Sequence, residues 1–215
     1  MIQVQLAGVR LGIVEAEGVE VIAADPDLLR EMDDFSTHLR NKHTLESVAE
    51  SPAIHAVRAM FRGWGVDPSK YRPSSEALMR RVVQGKGLYN ISNVVDLSNL
   101  GSIETGWPYG LYNRARISPP ITFRHGKPEE KYEGIGRRVW HLAGRPVLAD
   151  SEGPFGSPIS DSTRTQISEG ASEILTVIFA PASAVDSAIT EAMEKQMKRL
   201  TEYAHARKVS SFLIG

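Results

Sequence analysis

The chain has 215 residues, 41% of them hydrophobic and 24% charged, which is typical of one globular domain with a sizeable core. It contains no cysteine, so disulfides, thiolate chemistry and cysteine zinc sites are excluded. The longest apolar run, residues 174–180, is too short to cross a bilayer. No signal peptide is visible at the start, so we expect a cytoplasmic protein without a membrane partner.

The formal net charge is −1. Proteins that bind nucleic acids through phosphates usually carry a basic excess, so any RNA contact here requires a local basic patch. The six histidines are scattered along the chain, and the G-x-S-x-G, P-loop and H-E-x-x-H motifs are absent. We therefore expect neither a metal site nor a cofactor.

The first third of the chain predicts strands followed by helices. Short apolar pieces at 2–6, 11–14 and 19–23 are separated by glycines and indicate strands. Asp25 followed by Pro26 predicts a helix start, and a second apolar series around residues 54–61 predicts another helix, ended by Gly63.

The rest of the chain alternates between both kinds of element. Ser74 and Gly85 bracket a predicted helix, and residues 121–124, 139–142, 147–149 and 174–180 are predicted strands. A long helix follows, with apolar residues from Val185 to Ala204 at helical spacing. The pattern indicates an α+β fold.

The segment 88–113, L-Y-N-I-S-N-V-V-D-L-S-N-L-G-S-I-E-T-G-W-P-Y-G-L-Y-N, is unusually rich in short polar residues. Such side chains hold irregular turns by bonding to nearby backbone, or they form the polar floor of a ligand pocket. The residues alone leave both interpretations open.

Four blocks in this half of the chain resemble the editing domain of phenylalanyl-tRNA synthetase beta subunits. Residues 91–99 (I-S-N-V-V-D-L-S-N) are similar to that family's I-N-x-V-V-D-V-T-N, and 106–113 (G-W-P-Y-G-L-Y-N) to its G-Q-P-x-H-A-F-D. Residues 121–124 with the acidic pair at 129–130, and 147–161, resemble its next two blocks. Residues 72–86 look like the R-P-S-x-E-A-L-x-R-R-V-x-x-G-K run of stand-alone relatives.

This resemblance implies a three-layer α+β fold, with two packed β-sheets and helices on one side. We expect residues 1–215 to form a single domain, with the N-terminal strands and helices of 1–67 integral to it. In the family, this domain hydrolyses the ester of tRNA charged with the wrong amino acid, tyrosine in place of phenylalanine.

The resemblance also implies a site. Asn99 and Asp161 are the candidate catalytic residues. The candidate substrate-binding residues are Asn93, Ser98, Asn99, Tyr109, Gly110, Phe155, Gly156, Ser157 and Asp161. Two positions depart from the family: Gly110 stands where it has a histidine, and Asp161 where it has the glutamate that recognises the tyrosine hydroxyl.

A local RNA-binding patch is expected from seven cations. These are Arg72, Arg80, Arg81, Lys86, Arg114, Arg116 and Arg124. The expected partners are tRNA or aminoacyl-tRNA, or a small amino-acid-like ligand. Three hypotheses follow: a deacylase acting in trans, a binding module that has lost the chemistry, or a protein that docks to a partner through its long C-terminal helix.

Overall fold

The computed structural model describes residues 2–215. Its helices are α1 (Pro26–Lys42), α2 (Leu45–Glu50), α3 (Pro52–Gly63), α4 (Ser74–Val83), α5 (Asn93–Thr105) and α6 (Asp186–Ala204). Its strands are β1 (Ile2–Val4), β2 (Val9–Glu17), β3 (Tyr109–Asn113), β4 (Ile121–His125), β5 (Lys131–Glu133), β6 (Val139–His141), β7 (Pro146–Asp150), β8 (Gly153–Gly156), β9 (Glu173–Pro181) and β10 (Lys208–Ile214). None of the helices in the described residues is both long and apolar enough to cross a membrane.

The first sheet has the strand order β10-β2-β9-β3. Strand β2 runs antiparallel to β9 along its whole length, from the Val9–Pro181 pair to the Glu17–Glu173 pair. Because side chains alternate across a strand, Thr176 faces α6, where it accepts a hydrogen bond from Gln196, whereas Phe179 faces the opposite side. This pairing builds the N-terminal segment into the same sheet as the C-terminal half.

The second sheet has the order β1-β4-β7-β8, in which β1 lies parallel to β4 and the other pairs are antiparallel. Strands β5 and β6 form a separate hairpin. The two sheets meet through aromatic side chains: Phe123 lies 5.3 Å from Phe179, and Tyr112 lies 5.0 Å from Phe155, ring centre to ring centre. The aromatic contacts thus fix the spacing between the sheets.

Helix α6 covers the outer face of the first sheet. A side chain at Gly12 of β2 would approach Ile189 and Met193 of α6 to 3.1 Å, so the glycine allows the helix to pack closely. The order of layers is helices, first sheet, second sheet, which confirms the predicted α+β fold. That residues 1–215 form one domain stays a prediction.

The apolar stripe of α6 is buried rather than free for a partner. Ile189 and Leu200 are fully buried within this chain. Arg199 on the same helix is 7% exposed and makes two hydrogen bonds to Glu104 at 2.7 and 2.8 Å and one to Glu31 at 2.6 Å. These ion pairs tie α6 to α5 and α1, so the helix is part of the core.

Two elements differ from the sequence-based prediction. Residues 19–23 are not a strand, because their backbone bonds elsewhere: Val19 donates to the Ser172 carbonyl and Glu20 to that of Ala204. The last strand, β10, was not predicted. It pairs antiparallel with β2 from Lys208 to Ile214, and its half-buried alternation is weak.

Asn93 at the start of α5 is fully buried and joins three parts of the chain. Its amide donates to the carbonyls of Glu20 and Tyr203, both at 2.8 Å. Its oxygen accepts from the backbone nitrogens of Ile22 at 3.0 Å and Val94 at 2.9 Å. All of its hydrogen-bonding capacity is used to hold the backbone.

We predict that Asn93→Ala lowers the free energy of unfolding by about 3 kcal/mol, because buried backbone groups lose their partners. Urea denaturation measures the change. Asn99→Ala, one turn and a half further along α5 and half-buried, is the matched control and should cost less than about 1 kcal/mol. Equal losses in the two variants would contradict the structural role of Asn93.

Candidate functional site

A cavity of about 650 Å³ opens beside the edge strand β3. Helices α4 and α5 form one wall, and the turn of the β5–β6 hairpin with residues 159–167 forms the other. A volume of this size is typical of sites for small organic ligands.

Most of the cavity wall is apolar. Its apolar side chains include Leu78, Val95, Leu111, Ile159 and Ile167. An apolar wall favours an uncharged, hydrophobic portion of a ligand, because binding removes both surfaces from water.

The polar groups are few and come mainly from α5, β3 and the segment after β8. They are Ser98, Asn99, Ser102, Tyr109, Ser160, Asp161 and Gln166. Ser98 accepts a hydrogen bond from Gln196 at 2.9 Å, and Ser102 donates to the Trp107 carbonyl at 2.7 Å. Within residues 2–215, no protein hydrogen bond holds the amide of Asn99, so it is available to a ligand.

Asp161 is the acidic group on this wall. One carboxylate oxygen, Oδ1, accepts from the Tyr112 hydroxyl at 2.7 Å and from the Ser157 backbone nitrogen at 3.3 Å. The other, Oδ2, accepts a single long bond from the Leu111 nitrogen at 3.4 Å, which leaves acceptor capacity. Burial raises the pKa of Asp161 to about 7, and the hydrogen bonds from Tyr112, Leu111 and Ser157 offset part of that rise.

Tyr112 explains the glycine at position 110. Its phenol lies between β3 and β8, and a side chain at Gly110 or Gly156 would overlap the Tyr112 hydroxyl, at 2.1 and 2.3 Å. Strand alternation turns Gly110 toward the second sheet, whereas its neighbours Tyr109 and Leu111 face the cavity. No side chain at position 110 reaches the cavity without displacing Tyr112.

The predicted site residues therefore divide into two groups. Ser98, Asn99, Tyr109 and Asp161 meet at the cavity. The others lie away from it. Asn93, Gly110, Phe155, Gly156 and Ser157 belong to the packing behind the wall.

The second group has structural tasks instead. Phe155 is fully buried against Tyr112. Ser157 organises a turn: its hydroxyl donates to the Ser160 carbonyl at 2.9 Å and accepts from the Ser160 nitrogen at 3.1 Å. Its backbone nitrogen contacts Asp161, so it supports the site indirectly.

The seven predicted RNA-binding cations do not share one free surface. Arg124 makes two hydrogen bonds to Glu130, at 2.7 and 2.8 Å, and Arg72 and Arg114 pair with Glu76 and Glu15. The other four differ among themselves. Arg80 donates to the Leu45 carbonyl, Arg116 to that of Arg164, Lys86 is exposed, and Arg81 lines the cavity.

Pairing with carboxylates cancels the charge that a phosphate would need. The predicted patch is replaced by a smaller set, with Arg81 at the cavity and Lys86 near it in sequence. Among residues 2–215, no group of three or more acidic, histidine or cysteine side chains is arranged to hold a metal ion.

Residues 56–213 match the family model of the B3/4 domain. The chain belongs to the B3/4 domain family. Two relatives are beta subunits of phenylalanine–tRNA ligase, and the chain spans about 15% of their length. The one from Thermobifida fusca is 33% identical over 132 residues, 60% of this chain, and the one from Nocardia farcinica is 31% identical over 127 residues, 58% of this chain.

A solved structure also resembles this B3/4 domain. It is an N-terminal fragment of the phenylalanyl-tRNA synthetase beta subunit from Pyrococcus horikoshii, with 14% identity and a TM-score of 0.47. The likeness covers all of this chain and 54% of that fragment. The family match and the two bacterial relatives establish a domain related to a tRNA synthetase.

Several cavity residues of this B3/4 domain escaped sequence analysis. They include Tyr89, Ile91 and Ile135, which are exposed apolar side chains at the mouth. The role of Tyr112 was also missed. Its position between two glycines, 110 and 156, becomes visible only when β3 and β8 are brought together.

The pKa of Asp161 predicts a pH dependence of stability. The folded state keeps this proton up to about pH 7, whereas the unfolded chain loses it near 3.8, so folded molecules bind more protons between these values. The free energy of unfolding therefore falls as pH rises from about 4 to 7. Asp161→Asn should remove roughly 1–3 kcal/mol of this fall, a range reduced for solvent in the open cavity.

Urea denaturation at pH 4, 5.5 and 7 tests this prediction. Asp33→Asn on the exposed face of α1 is the control and should keep the wild-type slope. Asp96, whose pKa burial raises to about 6, contributes a smaller fall that both variants retain. An unchanged slope in Asp161→Asn would show that Asp161 is ionised throughout the range.

Proposed function

We propose that this B3/4 domain hydrolyses the ester bond of misacylated aminoacyl-tRNA in trans. The observation that carries the proposal is the carboxylate of Asp161 on the wall of a ligand-sized, largely apolar cavity. The relatedness to phenylalanine–tRNA ligase beta subunits supports tRNA as the carrier of the ester.

The apolar wall receives the side chain of the amino acid. Leu78, Val95 and Leu111 offer it a hydrophobic surface. The hydroxyl of Tyr112 already occupies one oxygen of Asp161, so the carboxylate is held in place before a substrate arrives. Such preorganisation favours a catalytic over a purely recognition role for this group.

In this scheme Asp161 is the general base. A water molecule attacks the ester carbonyl carbon while its proton passes to the free acceptor position of the Asp161 carboxylate. When the carbon–oxygen bond to the ribose breaks, the same proton passes to the leaving ribose oxygen. The products are the free amino acid and tRNA with its hydroxyl restored.

Asn99 is the candidate donor to the developing oxyanion. Its amide faces the cavity and is free of protein partners within the described chain. A fixed donor of this kind stabilises the negative charge that appears on the carbonyl oxygen during attack.

A panel of tRNAs, each charged with a different amino acid, tests the proposal by measuring amino acid release over time. We expect release well above the uncatalysed rate for at least one amino acid with an apolar side chain. Asp161→Asn should slow it by about 10²- to 10⁴-fold, because a general base is lost. Asp33→Asn should match the wild type.

If no member of the panel turns over faster than without protein, the hydrolytic function is wrong. Turnover that survives Asp161→Asn would instead remove Asp161 from the mechanism while leaving the activity in place.

The rate should also report the ionisation of Asp161. Because the base acts as a carboxylate, the wild-type rate should rise with pH and level off above about pH 7. Tyr112→Phe removes a hydrogen bond that stabilises the carboxylate and so raises the pKa of Asp161 further. The midpoint of the pH–rate profile should move to higher pH.

A variant that only loosened the fold would lower the rate at every pH without moving the midpoint. The shift therefore separates a positioning role of Tyr112 from general destabilisation. An unmoved midpoint would contradict the proposed coupling between Tyr112 and Asp161.

A further inference from the structure

The mouth of the cavity carries exposed apolar side chains on both sides. Tyr89 is 47% and Ile91 is 57% exposed on the segment before α5. Ile135, at the turn of the β5–β6 hairpin, is 50% exposed on the other side. All three line the cavity, so they form a two-sided rim.

Each side of this rim carries a cation stacked on an aromatic ring. The guanidinium of Arg81 lies 3.9 Å from the ring centre of Tyr89. That of Arg138 lies 4.6 Å from the ring centre of Trp140. Flat arginine and aromatic surfaces are the groups on which proteins stack unpaired nucleobases.

The rim is also locally basic in a chain of formal net charge −1. Lys131, Arg137 and Arg138 are exposed on the hairpin, against one exposed carboxylate, Glu133, which pairs with Arg137 at 3.3 Å. Lys86 is exposed on the opposite side, three residues before Tyr89. A basic rim attracts phosphates, whereas the apolar cavity itself does not.

Two hydrogen bonds fix the rim relative to the candidate catalytic group. The backbone nitrogen of Ile135 donates to the carbonyl of Asp161 at 3.0 Å. The backbone nitrogen of Ile91 donates to the carboxylate of Asp96 at 3.0 Å. A strand held at the rim would therefore end at a defined distance from Asp161.

We propose that this rim binds the single-stranded 3′ end of an RNA, with bases stacked on the Arg81–Tyr89 and Arg138–Trp140 pairs and phosphates near Arg137 and Lys86. The inference rests on the proposed function, since the ester in the cavity is attached to that end. It replaces the patch expected from sequence, most of whose cations are engaged within the protein.

Fluorescence anisotropy with a labelled single-stranded oligoribonucleotide of about eight residues, measured over a range of salt concentrations, tests the rim. Arg137→Ser with Arg138→Ser should weaken binding at least tenfold and reduce the dependence of log Kd on log salt by about 1.4, the value for two phosphate contacts on a single strand. Tyr89→Ala should weaken binding about tenfold and leave the salt dependence unchanged, because stacking is lost rather than charge.

The matched control is Arg207→Ser with Lys208→Ser. These two adjacent exposed cations lie at and before the start of β10, the strand at the opposite edge of the first sheet from β3. Removing them takes away the same charge as the hairpin variant, and binding should stay at the wild-type level.

The rim proposal is overturned if wild-type protein fails to bind the oligonucleotide at low salt, or if the hairpin variant binds as tightly as the control. It is also overturned if polyglutamate of equal charge displaces the RNA equally well, because the surface would then recognise acidic chains in general. Hydrolysis of a free amino-acid ester by wild-type protein, which does not require the rim, is measured in parallel. RNA binding without ester hydrolysis would leave the rim in place and count against the proposed function, and hydrolysis without RNA binding would do the reverse.

Discussion

The hydrogen bond between the Tyr112 hydroxyl and Asp161 is the interaction on which the site depends. It joins the first sheet, through β3, to the segment that follows β8 in the second sheet. The phenol has room only because Gly110 and Gly156 carry no side chains. Fully buried, Tyr112 also packs edge-on against Phe155, so the contact that positions the carboxylate is part of the packing between the sheets.

The same arrangement explains why a glycine at position 110 is compatible with a working site. In a strand, neighbouring side chains face opposite sides, and position 110 faces the second sheet. The polar groups of the cavity come instead from Tyr109 on the other face of β3, from α5, and from Asp161. Chemistry at this cavity is thus concentrated in one acidic group and one free amide, Asn99.

The fold could be predicted from sequence further than the site could. Helix starts such as Asp25-Pro26 and the continuous apolar run of β9 are local signals, and both appear where expected. The segment 19–23 and strand β10 were mispredicted because their conformations depend on distant partners, Asn93 and β2. Within the site, short polar residues of α5 carry different tasks that composition cannot separate: Asn93 is consumed by backbone contacts, whereas Asn99, two turns along, remains free.

Strand β10 has a consequence for handling the molecule. Residues 208–214 occupy the outer edge of β2 along Leu11–Glu17, covering a row of amide and carbonyl groups that would otherwise face solvent. An uncovered edge of this length is a template for pairing with strands of other molecules. Shortening or displacing this segment would therefore favour self-association long before the cavity, at the far edge of the same sheet, is disturbed.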